Sequence, residues 1–332
     1  MTENIESSFL VEQTFKAQEI LAKTNLVLPT EIMLANDLVE DQEDTLWISS
    51  EIHQVIKAYK IRGAANAAIQ LATNERCLAL VTASAGNHAQ AVALMANELN
   101  VPASIVMPLN TPDYKVDRVE SFSSRKTKVI LEGETFDEAE EYAKYLAEKQ
   151  SLFMIHPFND RNIIEGQGTW ALELIKSLKH INNIYVPVGG GGLIAGMASV
   201  FKSLSPETRI VAVEPEGAAS LTAAYKNSGP KKLKSIDIFV DGASVKIVGE
   251  IPFNIFKDLV DEVILIDNKE TIEATKKLNN KFSPRMIEFA GALSFAAYIK
   301  DQGRSKGDSS LCLVTGGNLS RDRYNIFVNQ QQ

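Results

Sequence analysis

Four consecutive glycines, Gly189, Gly190, Gly191 and Gly192, follow the apolar run Val186-Pro187-Val188 and lead straight into a helical stretch that begins near Leu193. A junction without side chains lets several backbone N–H groups converge on one point, where the helix dipole also favours negative charge. The feature predicts a phosphate-binding turn between a strand and a helix. The spaced glycines of a dinucleotide fingerprint and the Lys-Ser/Thr of a nucleotide P-loop are both missing, so neither of those sites is expected. A flexible turn with no ligand is the competing explanation.

Around this turn, apolar runs of strand length alternate with segments of helical period, the pattern of a parallel α/β architecture. Residues 77–83, 103–108, 128–132, 152–158, 183–188, 209–215, 262–267 and 310–315 read as strands. Phe136, Ala139, Ala143 and Leu146 form one helical apolar stripe, and Leu193, Met197, Val200, Phe201 and Leu204 another. Residues 221–250, broken by Ser-Gly-Pro-Lys-Lys, read as a surface excursion. The first 50 residues are acidic and weakly patterned, and are expected to form one or two helices.

At 332 residues the chain suits two α/β units or one large one, with room for a cleft between lobes. It is 45% apolar and 23% charged, as ordinary folded proteins are, and its first residues show neither a basic start nor an apolar run. An intracellular, cytoplasmic location is expected. The net charge of −8, without a basic block, argues against nucleic acid and anionic membrane as partners. The four histidines have no zinc spacing, and Cys77 and Cys312 read as buried thiols.

Two further segments carry chemistry. Ala58-Tyr59-Lys60-Ile61-Arg62-Gly63-Ala64 places a lysine at the start of an alanine-rich helix, where a solvated first-turn charge is the plain alternative. Ser84-Ala85-Gly86-Asn87-His88 closes a strand and opens another helix, presenting a hydroxyl, an amide and free N–H groups that suit a carboxylate, or else a simple N-cap.

These three segments, in this order, are similar to an SFKxRGA-type lysine segment, an SAGNHAQ turn and a GGGG phosphate loop. With PFND, EGQGTWALE, VAVEPEGAAS, FVDGASVK, EFAGALS and Thr315-Gly316-Gly317-Asn318, the chain resembles the fold type II pyridoxal-phosphate (PLP) enzymes over residues 50–320. Within them it resembles the threonine dehydratase and serine racemase group. The resemblance implies two open, twisted α/β domains of the tryptophan synthase β type with PLP in the cleft. The large domain would comprise residues 1–74 and 156–332, and the small one residues 75–155, carrying the substrate turn.

By the same resemblance, Lys60 holds PLP covalently and then shuttles the substrate Cα proton. Asn87 hydrogen-bonds the ring O3′, residues Gly189, Gly190, Gly191, Gly192 and Leu193 bind the phosphate, Thr315 sits at the ring nitrogen, and Glu288 orients the ring or the substrate. Ser84, Ala85, Gly86, Asn87 and His88 grip the substrate carboxylate. Glu214 and the carbonyl of Ala218 are the candidates for a monovalent cation. A homodimer or homotetramer is implied.

The implied reaction is dehydration and deamination of L-threonine to 2-oxobutyrate and ammonia, with L-serine a second substrate. Relatives that racemise carry a serine where this chain has Ala85, which cannot move a proton, so racemisation is not expected. A regulatory domain, and the isoleucine feedback that goes with it, is not expected either. Departures from the family pattern are Ala58 for a serine, Tyr59 for a phenylalanine, and WISSEIHQ, which keeps Glu51 and Gln54 but not the basic residues. Phe289 replaces a proline and Thr315 a serine. They leave open an eliminase for serine, 3-hydroxyaspartate or an uncommon amino acid, or a PLP-binding protein without activity.

Overall fold

The computed structural model describes residues 2–39, 43–74 and 79–329. In chain order the elements are α1 (Thr2–Ala22), β1 (Glu31–Leu34), β2 (Thr45–Ser50), α2 (Lys60–Asn74), β3 (Leu80–Ala83), α3 (Asn87–Glu98), β4 (Ala103–Met107), α4 (Asp113–Glu120), β5 (Thr127–Leu131), α5 (Phe136–Gln150) and β6 (Phe153–Met154). They continue as α6 (Arg161–Ser177), β7 (Asn183–Pro187), α7 (Gly192–Leu204), β8 (Arg209–Pro215), α8 (Ser220–Asn227), α9 (Glu250–Phe256), β9 (Glu262–Ile266), α10 (Asn268–Phe282), α11 (Phe289–Lys300), β10 (Ser309–Val314) and α12 (Arg321–Asn329).

The strands form two sheets, a six-stranded one ordered β1-β2-β10-β7-β8-β9 and a four-stranded one ordered β5-β4-β3-β6. All pairings run parallel except that of β1 with β2. Parallel strands covered on both faces bury every side chain, which is why they read as unbroken apolar runs. In β10, Leu311 and Leu313 join the layer under α6, α7 and α9, while Cys312 and Val314 face α10 and α11. The smaller sheet packs Val81, Ala83 and Val106 against Ala139, Ala143 and Leu146 of α5. Its other face carries α3, which meets the alanine face of α2.

The eight runs expected as strands all coincide with β3 to β10. Of the second apolar stripe, Leu204 departs: it lies 45% exposed in the last turn of α7. In the first 50 residues, α1 is one of the one or two helices expected, and the two strands that follow it are not part of that expectation. Strand β2, Thr-Leu-Trp-Ile-Ser-Ser, sits inside the sheet, and its Ser49 and Ser50 are fully buried. Ser49 is satisfied there by Trp170 Nε1 and Thr30 Oγ1, each at 2.8 Å. Hydroxyls paired within a core look like surface residues to a pattern of hydrophobicity alone. Cys312 is a buried free thiol, and Cys77 lies outside the described residues.

Candidate active site

The three residues before α2 run antiparallel to the segment after β10. Tyr59 N–H donates to Thr315 O at 3.1 Å, Gly317 N–H donates to Lys57 O at 2.9 Å, and Ala58 bridges Gly316. This short ladder puts Lys60 and Thr315 on the wall of one cavity of about 1160 Å³. That volume suits a cofactor and a small substrate together. Ala58, where the family pattern has a serine, is fully buried in an apolar cluster.

The start of α2 is anchored by Arg62, which is wholly buried. Its Nε reaches Glu51 Oε2 at 2.7 Å and its Nη1 reaches Glu173 Oε1 at 2.6 Å. A buried guanidinium with two carboxylates is strongly disfavoured from losing either one. Gln54 in turn ties the preceding turn to Leu28, accepting from its N–H at 2.9 Å and donating to its carbonyl at 2.6 Å. The two residues that WISSEIHQ retains from the family pattern, Glu51 and Gln54, both hold structural partners around the start of α2.

Lys60 Nζ donates to Pro157 O at 2.8 Å. Burial brings the Lys60 amine down to about 8, with the Glu288 charge opposing the shift. A substantial neutral fraction near physiological pH makes the amine able to condense with a carbonyl and later to accept a proton.

The tetraglycine turn lies between β7 and α7, as its sequence predicts. Gly191 has φ +92°, a left-handed conformation open to glycine at little cost. A Cβ on Gly190 would fall within the Phe158 ring. The first-turn N–H groups of α7 therefore face the cavity without side chains in the way, and the turn fits a phosphate dianion.

Ser84, Ala85, Gly86, Asn87 and His88 line the same cavity at the start of α3. Ser84 Oγ accepts from Gly86 N–H at 3.2 Å. His88 is buried with Nε2 on Ile155 O at 2.9 Å, and burial, then the Lys60 charge, push it down to about 3, so the ring is neutral. Asn87 is held from two sides: its Nδ2 donates to Glu288 Oε1 at 2.8 Å, and its Oδ1 accepts from Asn318 Nδ2 at 2.6 Å. Those opposite demands fix which end of the amide points where.

Glu288 precedes α11 but does not cap it with its side chain. Its carboxyl is turned into the cavity, where it also accepts from Asn318 N–H at 3.2 Å. Burial, then the nearby Asp241 charge, raise it to about 7. Though it stands at a helix start, Glu288 is not a surface glutamate.

Residues 231–238 stay largely exposed, as a surface excursion would, but residues 239–246 correct that expectation. Phe239, Val240 and Ala243 enter the core, and Asp241, Gly242 and Lys246 line the cavity. Asp241 accepts from Lys115 of α4 at 2.6 Å and Arg323 of α12 at 2.7 Å, and Lys246 reaches Asp137 of α5 at 3.3 Å. Burial pushes the Asp241 carboxyl up, yet the two cations hold it below the ordinary carboxylate range. Irregular backbone has no period, so neither its burial nor its place at the site shows in hydrophobic patterning.

Glu214 and Ala218 lie apart from the cavity lining. The buried Glu214 carboxylate accepts from Leu221 N–H, and from Thr222 N–H at 3.0 Å and Oγ1 at 2.9 Å, serving the start of α8. Burial raises its carboxyl above the usual range. The described residues hold no group of three or more His, Cys, Asp or Glu side chains placed to bind a metal.

A sequence profile of the family described as pyridoxal-phosphate dependent enzyme matches residues 23–316. The chain belongs to that family. Among curated members of this PLP enzyme family, it is 38% identical to a threonine dehydratase of Nicotiana attenuata over 99% of this chain and 55% of that protein. It is 36% identical to a biosynthetic L-threonine dehydratase of Halalkalibacterium halodurans, over 95% of this chain and 74% of the relative. The chain spans about half the length of the plant relatives it matches. Among solved PLP enzyme structures, the processed form of threonine deaminase isoform 2 from Solanum lycopersicum superposes with a TM-score of 0.86 at 34% identity, over 96% of this chain and 93% of that one. Maize serine racemase gives 0.86 at 31% identity, over 97% of each.

The fold expected from sequence is the fold of these relatives, and every residue named for cofactor and substrate lies in one cavity lining. Residues that sequence reasoning left without a role are Pro157, Phe158, Asp241 and Asn318. Each belongs to a motif quoted for its resemblance, PFND, FVDG or TGGN, and that was the available signal. No helix among the described residues is long and apolar enough to cross a membrane.

Proposed function

We propose that this chain is a PLP-dependent lyase that converts L-threonine to 2-oxobutyrate and ammonia, with L-serine as a second substrate. The observation that carries the reading is the Lys60 amine, weakened to about 8, sharing one cavity with a phosphate-shaped glycine turn and a helix start built for a carboxylate. The curated relatives named for threonine support the substrate.

In this reading the turn at residues 189–192, with Leu193, holds the cofactor phosphate, Asn87 reaches the ring hydroxyl and Thr315 the ring nitrogen. The cofactor, when bound, supplies a sink for the electron pair left on the substrate Cα. Ser84 and the N–H groups of Gly86, Asn87 and His88 orient the substrate carboxylate. Lys60, as the neutral amine, removes the Cα proton, and delivery of one proton to the β-hydroxyl lets it leave as water, so the two transfers balance. The enamine set free then takes up water and loses ammonia, so the net products are the 2-oxo acid and ammonia. A hydroxyl at the ring nitrogen cannot keep that nitrogen protonated as a carboxylate would, which favours elimination over transamination. Ala85 offers no second base on the far side of Cα, which favours elimination over racemisation.

The small domain, residues 75–155, carries the substrate turn and closes over the larger one, residues 1–74 and 156–332, to exclude water. A monovalent cation at Glu214 and the Ala218 carbonyl is part of the proposal. The buried Ser220 hydroxyl, which has no partner, adds an acceptor close by. Raised melting temperature in potassium over choline chloride would support the cation. We further propose a cytosolic homo-oligomer, which sedimentation at micromolar concentration checks.

The deciding experiment gives purified holoprotein a panel of amino acids, including threonine, serine and 3-hydroxyaspartate, and follows 2-oxo acid formation. Absence of 2-oxobutyrate from threonine ends the leading reading. Activity confined to another member of the panel assigns the chain to a related eliminase, and a bound cofactor with no turnover of any amino acid assigns it a binding role.

A further inference from the structure

The segment His156-Pro157-Phe158-Asn159 joins β6 to α6 and touches both halves of the cofactor site. Pro157 O accepts the Lys60 amine at 2.8 Å. Phe158 lies against the tetraglycine turn, its ring filling the space a Cβ at Gly190 would need and its backbone packing on Gly192. Asn159 Oδ1 accepts from Ile251 N–H at 2.9 Å, tying the segment to α9.

One side chain holds the backbone of this segment at two points. His156 Nδ1 accepts from the N–H of Phe158 at 3.2 Å and from that of Asn159 at 2.8 Å. Its Nε2 lies 2.9 Å from Glu140 Oε1 on α5, so Nε2 carries the proton and donates. The ring also meets the Phe158 ring edge to face, with centroids 4.6 Å apart. The His156 hydrogen bond, ahead of burial, which opposes it, holds the Glu140 carboxyl below its usual range, with Lys144 adding to the effect.

We propose that Glu140 and His156 form a positioning pair that sets the Lys60 amine and the phosphate turn together, through the carbonyl of Pro157 and the ring of Phe158. The inference rests on the PLP reading above. Only the neutral imidazole protonated on Nε2 can serve. A proton added at Nδ1 would point at two N–H groups that already point at it, and both hydrogen bonds would be lost. Acid therefore loosens the grip on the cofactor. The ionisable groups that face His156 are Glu140 and, more distantly, Asp160 and the neutral His88, with Lys144 paired to Glu140.

The test measures PLP dissociation constants of apoprotein by absorbance titration between pH 5.5 and 8.5, for wild type and for His156→Leu, His156→Asn and Glu140→Gln. Wild type should bind more weakly as pH falls. His156→Leu, with two half-buried N–H groups left without an acceptor, should bind about tenfold more weakly at pH 8. His156→Asn keeps an acceptor near the Nδ1 position and should recover most of that loss while flattening the part of the acid limb that His156 contributes, because it has no proton to gain; the part due to Lys60 stays. Glu140→Gln should fall between. Should His156→Leu fail to fold, the flattened limb of His156→Asn decides the matter. Binding by His156→Leu within twofold of wild type, or an unchanged acid limb in His156→Asn, overturns the pair. Wild type that takes up no PLP at any pH overturns the cofactor reading itself, and this inference with it.

Discussion

On the side of the cavity built from the large sheet, position comes chiefly from backbone pairing and close packing, with buried side chains behind them. Lys60 is fixed by the ladder of residues 57–59 with 315–317, and the phosphate turn by glycines packed against Phe158. On the facing side, α4 and α5 meet residues 241–246 through side-chain ion pairs: Lys115 with Asp241, and Asp137 with Lys246. Backbone ladders and close packing are insensitive to salt and unforgiving of a methyl group, whereas ion pairs near water are screened and individually weak. The first wall should therefore respond steeply to small substitutions, and the second only gently, with a salt dependence the first lacks.

The comparison breaks most readily at Lys60. Lys60→Ala should lower 2-oxo acid formation by about 10³-fold or more, the scale of losing a proton shuttle together with the covalent tether. Retained turnover would overturn the mechanism outright. Next comes Gly190→Ala, whose added methyl must displace Phe158; a loss of about 1–3 kcal/mol in unfolding free energy is expected, along with weakened PLP binding. Should denaturant melts and PLP titrations both match wild type, the first wall is softer than its packing suggests.

A smaller effect sharpens the electrostatics between the walls. Cofactor uptake needs the neutral Lys60 amine, so its rate should climb as pH rises through about 8 and then level. Glu288→Gln removes a charge that favours the ammonium form, so the climb should move to lower pH. Rapid-mixing absorbance over a pH series reads it, and a move to higher pH would contradict the assignment. Smallest of all, Lys115→Ala should reduce kcat/KM only severalfold at low ionic strength, in line with about 0.2–1 kcal/mol for such a pair, and the difference should fade in 0.5 M salt. A deficit that persists in salt would mean that the second wall, too, depends on packing.

The parallel strands and the three chemical segments were legible because each is local: a run of apolar residues, a glycine turn, a lysine opening a helix. What escaped is relational. Strand β2 hides in the sequence because Ser49 and Ser50 are satisfied by distant partners such as Trp170. Residues 230–246 reach the cavity without any repeating pattern. Asn318 matters through its bond to Asn87, and His156 through backbone N–H groups two and three residues on. Such roles depend on which atoms face each other, which composition and spacing do not encode. Glu288 is the intermediate case, with its place in a motif visible and its burial not.

The ladder between residues 57–59 and 315–317 joins an early part of the chain to a late one. During synthesis, a chain that has not yet delivered β10 and the residues after it has no partner for the Lys60 segment and no hydroxyl at position 315. A reactive aldehyde cofactor then meets no finished pocket on a partial polypeptide. In the proposed reading, this topology ties loading to completion of the fold.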